Sequence, residues 1–186
     1  MTHDPYTLPP NLPVPEDDGA AAHLDGLELP SLTLDSTQGP VDLAELAAER
    51  AVLYVYPRTG KPGVDSLPGW DEFPGARGCT PQSCAFRDHA AELADHGARV
   101  AGLSSQTLED QVEFAERTHI PYPVLADPEF RLRDALGLPT FELAAETFYK
   151  RLALVAERGR IVQVFYPVFP PDRNAADVVD WLRRNR

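Results

Sequence analysis

The sequence predicts an α/β sandwich: a central mixed sheet covered by helices on both faces, with an amino-terminal hairpin. Three observations predict it. Apolar runs of strand length alternate with segments of helical period, the order that buries parallel strands under crossover helices. The end of the chain breaks that alternation with two strands joined by a tight turn and then a last helix, so part of the sheet must be antiparallel. The 186 residues suffice for one well-buried domain and are too few for two of ordinary size.

Residues 1–24 mix Pro, Asp, Ala and His without periodicity and read as a proline-rich tail, leaving 25–186 as the domain. Ser31–Asp35 alternates apolar with polar, turns through Ser36–Pro40 and resumes at Val41–Leu43, which makes the hairpin. Ala51–Tyr56 is a continuous apolar run stopped by Pro57, as expected of a central strand covered on both faces. Residues 58–78 are punctuated by Gly60, Pro62, Gly63, Pro68, Gly69, Pro74, Gly75 and Gly78, so they form an irregular loop, and loops this long in a compact domain usually carry function.

From Ser83 a helical period places Phe86, Ala90 and Leu93 on one stripe until Gly97. Ala98–Leu103 is a strand. Thr107–Asp110 resembles a capping box that opens a helix towards His119. Tyr122–Leu125 is a short strand, and a helix runs from Pro128 to about Leu136. Leu152–Val155 turns through Glu157–Gly159 into Ile161–Tyr166, and the last helix, capped by Asn174, carries Val178, Trp181 and Leu182.

Charged residues are 25% and hydrophobic ones 43%, ordinary for a folded domain. The 17 Lys+Arg against 29 Asp+Glu give −12, a sign that repels a phosphate backbone or an anionic bilayer, so no nucleic acid or membrane partner is expected. No run reaches the roughly 18 apolar residues of a membrane helix. Met1–Pro5 lacks the basic and apolar regions of a signal peptide, and a cytoplasmic location is expected.

The chemistry lies with the two cysteines. In a reducing compartment such a pair is more often redox-active or metal-binding than structural. Cys79 follows a glycine-rich approach and precedes Pro81, a residue tolerated in a first helical turn, so it sits at a helix amino terminus. Free amides and the positive dipole end there favour the thiolate, the nucleophilic form. Cys84 lies five positions on. In an unbroken helix that spacing separates the Cα atoms by roughly 8–9 Å, from about 1.5 Å rise and 100° per residue. Disulfides rarely span more than about 7 Å, so a bond between the two requires the first turn to unwind and suits turnover better than a permanent staple. A metal site using His89 as a third ligand lacks a second ligand pair, and neither a metal nor another cofactor is expected.

The run Gly78-Cys79-Thr80-Pro81-Gln82-Ser83-Cys84-Ala85-Phe86-Arg87-Asp88 resembles the active-site segment of the Q-type, or bacterioferritin-comigratory, peroxiredoxins of the AhpC/TSA redoxin superfamily. Gly102–Ser105, Phe114–Arg117, Pro121–Pro128 and Lys150–Val155 resemble that family's following blocks in order, and with Ser31–Tyr56 the likeness covers roughly 27–185. The resemblance implies a thioredoxin-like three-layer fold and a thiol peroxidase acting on hydrogen peroxide and organic hydroperoxides. It makes Cys79 the peroxidatic cysteine and Cys84 the resolving one, joined in an intramolecular disulfide that a thioredoxin-like dithiol reduces. Arg151 matches the family's arginine before a strand, whose cation would favour the Cys79 thiolate and stabilise charge on the departing oxygen.

One departure stands out. The family's Pro-x-x-x-Thr-x-x-Cys loop is missing at that spacing, where Glu72 and Ala76 stand instead. Tyr56-Pro57-Arg58-Thr59 resembles the start of that loop, so an insertion of about fifteen residues separates it from Cys79. Pro57 and Thr59 are therefore expected at the site, Thr59 folding back to orient the peroxide while Trp70 and Phe73 shape the pocket. A monomer or weak homodimer is expected. Two other readings share the fold: a thiol–disulfide oxidoreductase, which usually carries the shorter Cys-x-x-Cys, and a redox-sensing interaction protein.

Overall fold

The computed structural model describes residues 4–186. Strands β1 (Thr33–Ser36) and β2 (Val41–Asp42) form the amino-terminal hairpin, and the Asp42 carboxylate caps the short helix α1 (Leu43–Leu46) by accepting from the Glu45 N–H at 3.0 Å. β3 (Arg50–Val55) leads through the loop 56–78 into α2 (Cys79–Asp88) and α3 (Ala90–Asp95). β4 (Arg99–Ser104), α4 (Leu108–Thr118), β5 (Val124–Ala126) and α5 (Arg131–Leu136) follow. The chain ends with β6 (Thr140–Leu143), β7 (Glu146–Tyr149), β8 (Leu152–Glu157), β9 (Arg160–Phe165) and α6 (Asn174–Arg184).

Seven strands make one sheet in the order β2-β1-β5-β4-β3-β8-β9. β3, β4 and β5 are mutually parallel, while β8 runs antiparallel along all six residues of β3 and β1 antiparallel to β5, so the sheet is mixed. Strand periodicity divides the apolar residues between two layers. Leu53, Val55, Leu103, Leu152 and Leu154 face α1 and α5, whose Leu43, Leu46, Leu132 and Leu136 complete that core. Val52, Tyr54, Val100, Ala153 and Val155 face the other way, against Phe86, Leu93, Phe114 and Val178 of α2, α3, α4 and α6. The central strand is thus apolar from Ala51 to Val55 because both its faces are covered there.

The structure departs from the sequence expectations in four places, one of them α5, which begins at Arg131 rather than Pro128 because Phe130 before it is in the left-handed region. The helix begins at Cys79, as expected, but does not run unbroken to Gly97: it is interrupted at His89, whose N–H is shared between the Ala85 and Arg87 carbonyls. Asn174 is the first residue of α6 rather than its cap; its buried side chain is turned to Gln82. The hairpin β6–β7 was not anticipated, because its turn uses Ala144 and Ala145 at φ 51° and 62°, a left-handed conformation ordinarily signalled by Gly or Asn.

That hairpin is not part of the main sheet. It packs Phe141 and Phe148 against Trp70 and Ala76 of the loop 56–78, forming a third, small core. Phe73 stacks on Phe141 with centroids 4.2 Å apart, and Trp70 meets Phe148 edge-on at 5.1 Å. Residues 4–24 precede the first strand and end in a single 3-10 turn, Ala22–Leu24, whose Leu24 is buried in the same core as the α5 leucines and Ile161 of β9.

Candidate active site

The loop 56–78 reaches α2 through Gly78, which sits at φ 106° in the left-handed region. A side chain there is excluded on two counts: the conformation, and a Cβ position 2.6 Å from Pro171 and 2.9 Å from Leu8. Cys79 is the first residue of the helix and Pro81 the third, where its missing N–H costs nothing. Cys79 is buried, with 3% of its surface exposed. Its Sγ receives the backbone N–H of Arg58 at 3.4 Å and Nη2 of Arg151 at 3.3 Å, and the thiol donates to the Ala76 carbonyl at 3.6 Å.

Arg151, immediately before β8, is almost fully buried. Its Nη2 also donates to the carbonyls of Gly75, Ala76 and Arg77, at 3.3, 3.1 and 3.0 Å, so the same guanidinium that touches the sulfur holds the strand of chain entering α2. Nη1 donates to Gln82 Oε1 at 2.5 Å, and Gln82 Nε2 donates to Asn174 Oδ1 at 2.9 Å. A buried polar line therefore runs from α6 through α2 to Arg151 and the sulfur. The sequence offers Asn174 only as a helix cap and gives Gln82 no role; the one signal for a site here is a glutamine on the core-facing side of an otherwise amphipathic helix.

Cys79 opens onto a cavity of about 240 Å³ whose wall includes Thr59, Leu67, Trp70, Arg77, Thr80 and Gln106. Thr59 lines the same cavity as Cys79. Its N–H and its hydroxyl both donate to Gln106 Oε1, at 2.8 and 3.0 Å, which commits the hydroxyl proton and leaves the oxygen as an acceptor. Pro57, two residues past the end of β3, is buried and is not on the wall. Trp70 lines the cavity, whereas Phe73 lines a neighbouring one of about 150 Å³ with Phe141, Arg151 and Tyr166. Arg151 is absent from the larger cavity's wall; the cations found there are Arg58, Lys61 and Arg77. The segment 166–171 flanks the site: Tyr166, Pro167 and Val168 line the smaller cavity and Pro171 packs on Gly78.

Cys84 is a free thiol on the same unbroken helix, half-buried, and burial pushes its pKa up while Arg87 pulls the other way. Beneath α2, Tyr54 stacks on Phe86 at 4.4 Å, and its hydroxyl meets that of Tyr122, which donates to the Ser83 carbonyl, both at 3.0 Å. Burial drives both phenols well above their ordinary range, so they support the helix as neutral groups. The hydroxyl of Thr80, also buried, has no partner among the described residues. No helix of the described residues is long and apolar enough to cross a membrane.

The sequence profile of the Redoxin family matches residues 24–180. The chloroplastic peroxiredoxin Q of Sedum lineare is 28% identical over 176 residues, 94% of this chain and 86% of that protein. The chloroplastic peroxiredoxin Q of Arabidopsis thaliana is 30% identical over 160 residues, 85% of this chain and 66% of that one. Among solved structures, peroxidoxin BcpB of Mycobacterium tuberculosis superimposes with a TM-score of 0.69 at 26% identity, covering 87% of this chain and 97% of its own. The layered sheet with its helices is thus a thioredoxin-like fold, and the chain, similar to these peroxiredoxins Q, belongs to the Redoxin family.

Proposed function

We propose that this chain is a thiol peroxidase in which Cys79 is the peroxidatic cysteine and Cys84 the resolving one. One observation carries the reading: Cys79 Sγ, at the start of α2, receives N–H donors from Arg58 and Arg151 at the wall of a cavity, with a second free thiol on the same helix. The thiolate attacks one peroxide oxygen, the O–O bond breaks, and a proton taken up by the leaving oxygen gives water or an alcohol. Cys79 is left as the sulfenic acid. The Cys84 thiol then displaces hydroxide, which leaves as water with the thiol proton, and a Cys79–Cys84 disulfide forms once the first turn of α2 has opened. A thioredoxin-like dithiol reduces it by exchange.

In this reading Arg151 is the cation that steadies negative charge at sulfur, with Gln82 and Asn174 as positioning residues behind it. Thr59 accepts a hydrogen bond from the incoming hydroperoxide and sets its angle to Cys79, and Trp70 with Leu67 forms the apolar side that tolerates an organic hydroperoxide. Pro57 serves only to turn the chain towards Thr59. The segment 1–24 is a tail and 25–186 the catalytic domain, which works as a monomer or weak homodimer in the cytoplasm, where a dithiol pool keeps both cysteines reduced.

Stopped-flow tryptophan fluorescence of the reduced protein with hydrogen peroxide tests the reading, aided by Trp70 in the cavity wall. Wild type should pass rapidly to an intramolecular disulfide, Cys79→Ser should be silent, and Cys84→Ser should accumulate sulfenic acid detectable by mass spectrometry. Reaction no faster than that of an ordinary free thiol would overturn it. Thr59→Val leaving turnover unchanged would remove the role given to Thr59.

A further inference from the structure

The segment Asp4–Asp18 crosses the approach to Cys79 and is tied down along its length. Arg77 Nη2 donates to the carbonyls of Asp4 and Thr7 at 2.8 and 3.4 Å. Arg117 Nη1 donates to the Tyr6 hydroxyl at 2.7 Å, with the guanidinium carbon 5.7 Å from the ring centre. Leu8 packs against the Gly78 backbone and Pro15 beside Gly75. At the far end the Asp18 carboxylate takes Lys150 Nζ and the Tyr166 hydroxyl, both at 2.6 Å, and those bonds hold it well below the usual carboxylate range. Pro5 completes the wall of the cavity that Cys79 opens onto.

Much of what this segment grips, Gly75, Arg77 and Gly78, is the chain that runs directly into Cys79. That chain cannot stay put through a cycle involving Cys84. The two cysteines share an unbroken helix, whose five-residue spacing keeps their Cα atoms roughly 8–9 Å apart against the about 7 Å a disulfide allows. Opening the first turn displaces Gly78 and with it the docking site of Leu8 and the base from which Arg77 reaches Asp4 and Thr7. The segment therefore has a higher affinity for the closed helix than for the opened one. Thermodynamic linkage makes the effect mutual: a docked segment disfavours opening by the same factor by which opening weakens docking.

We propose that residues 4–18 are a redox-sensing strap, docked across the dithiol form, released by the Cys79–Cys84 disulfide, and slowing formation of that disulfide while docked. The strap rests on the peroxidase reading for the origin of the disulfide, and the test separates the two. Chymotrypsin cleavage after Tyr6 and acid-specific cleavage after Glu16 are followed by mass spectrometry. Three samples of the full chain are compared: dithiol, oxidised with hydrogen peroxide, and oxidised with diamide. Diamide takes two electrons and two protons from a thiol pair and needs no peroxidase activity.

Cleavage at both sites is expected to be at least ten-fold faster in either disulfide form than in the dithiol form. A chain starting at Gly19, and separately Arg77→Gln in the full-length chain, should form the disulfide with diamide about five-fold faster or more. Arg77→Gln should also be cleaved rapidly in both redox states. Equal cleavage of dithiol and disulfide forms overturns the strap, as does disulfide formation at the wild-type rate in both variants. If peroxide yields no disulfide while the diamide-made one releases the segment, the strap stands and the peroxidase reading falls. If neither oxidant links the cysteines, both fall.

Discussion

The sheet framework and the cap over Cys79 are built by different rules. In the framework, β3, β4 and β8 bury an apolar side chain at nearly every position, and two layers of helices repeat the same kind of contact. In the cap, the loop 56–78, the hairpin β6–β7 and the segment 4–18 are joined by a handful of specific contacts. These are one aromatic cluster, the Arg77 and Arg117 tethers, and the Arg151 guanidinium gripping three successive carbonyls. Dense apolar contacts carry the folding free energy, whereas single tethers set where the chain around Cys79 is held. The framework should therefore govern stability and the cap should govern rate.

The largest expected effect lies on rate alone. Cys79→Ser should lower peroxide consumption by about four orders of magnitude or more, the scale of losing an essential nucleophile, while thermal melting moves by no more than a few degrees. A drop in melting temperature as large as that of a core truncation would blur the division. Next comes a framework change: Phe114→Ala, fully buried under β3, should cost about 3–5 kcal/mol in denaturant unfolding. Trp70→Ala should cost less than half of that and instead raise KM for a bulky hydroperoxide, since Trp70 lies in the small core and on the cavity wall. If Trp70→Ala unfolds the chain as readily as Phe114→Ala, the cap is not the separable layer described here.

Arg151→Met should slow the peroxide reaction by about 10²-fold, the usual loss for a charge-stabilising donor in a buried site. Arg151→Lys should recover only part of it, because an ammonium cannot hold the sulfur, Gln82 and the carbonyl row together. The smallest effect concerns pH. Burial raises the Cys84 pKa, so in Cys79→Ser its alkylation should be slow at neutral pH and climb about ten-fold per unit as pH rises, with a midpoint above that of an ordinary thiol. A midpoint at or below the ordinary value would mean that Arg87 outweighs burial.

The same division explains what the sequence made legible. β3, β8 and β9 were read from apolar runs and a tight turn, and α4 from Thr107, whose side chain does accept the Asp110 N–H. These are local signals. The two cysteines and the helix start at Cys79 were also local, carried by Gly78 and Pro81. The rest of the site is long-range. Gln82 meets Asn174 across 92 positions and Arg151 across 69, and no spacing rule connects them. Asn174 read as a cap because its type suits one, and its tertiary contact overrode that preference. The β6–β7 hairpin escaped because alanines occupy its left-handed turn, and without it the partner of Trp70 and Phe73 was invisible. Arg151 was legible only through family resemblance, and Arg77, at the cavity wall, not at all.

The unpartnered Thr80 hydroxyl bears on what the cavity beside Cys79 will hold. It is almost fully buried, lies on the cavity wall and has no hydrogen-bond partner among the described residues. A polar group left unmatched in this way typically forfeits about 1–3 kcal/mol. A guest that presents a polar atom to it recovers part of that amount on entering, and an apolar guest of the same size recovers none. The wall thus favours molecules with a polar end, a filter set by one oxygen rather than by the width of the opening.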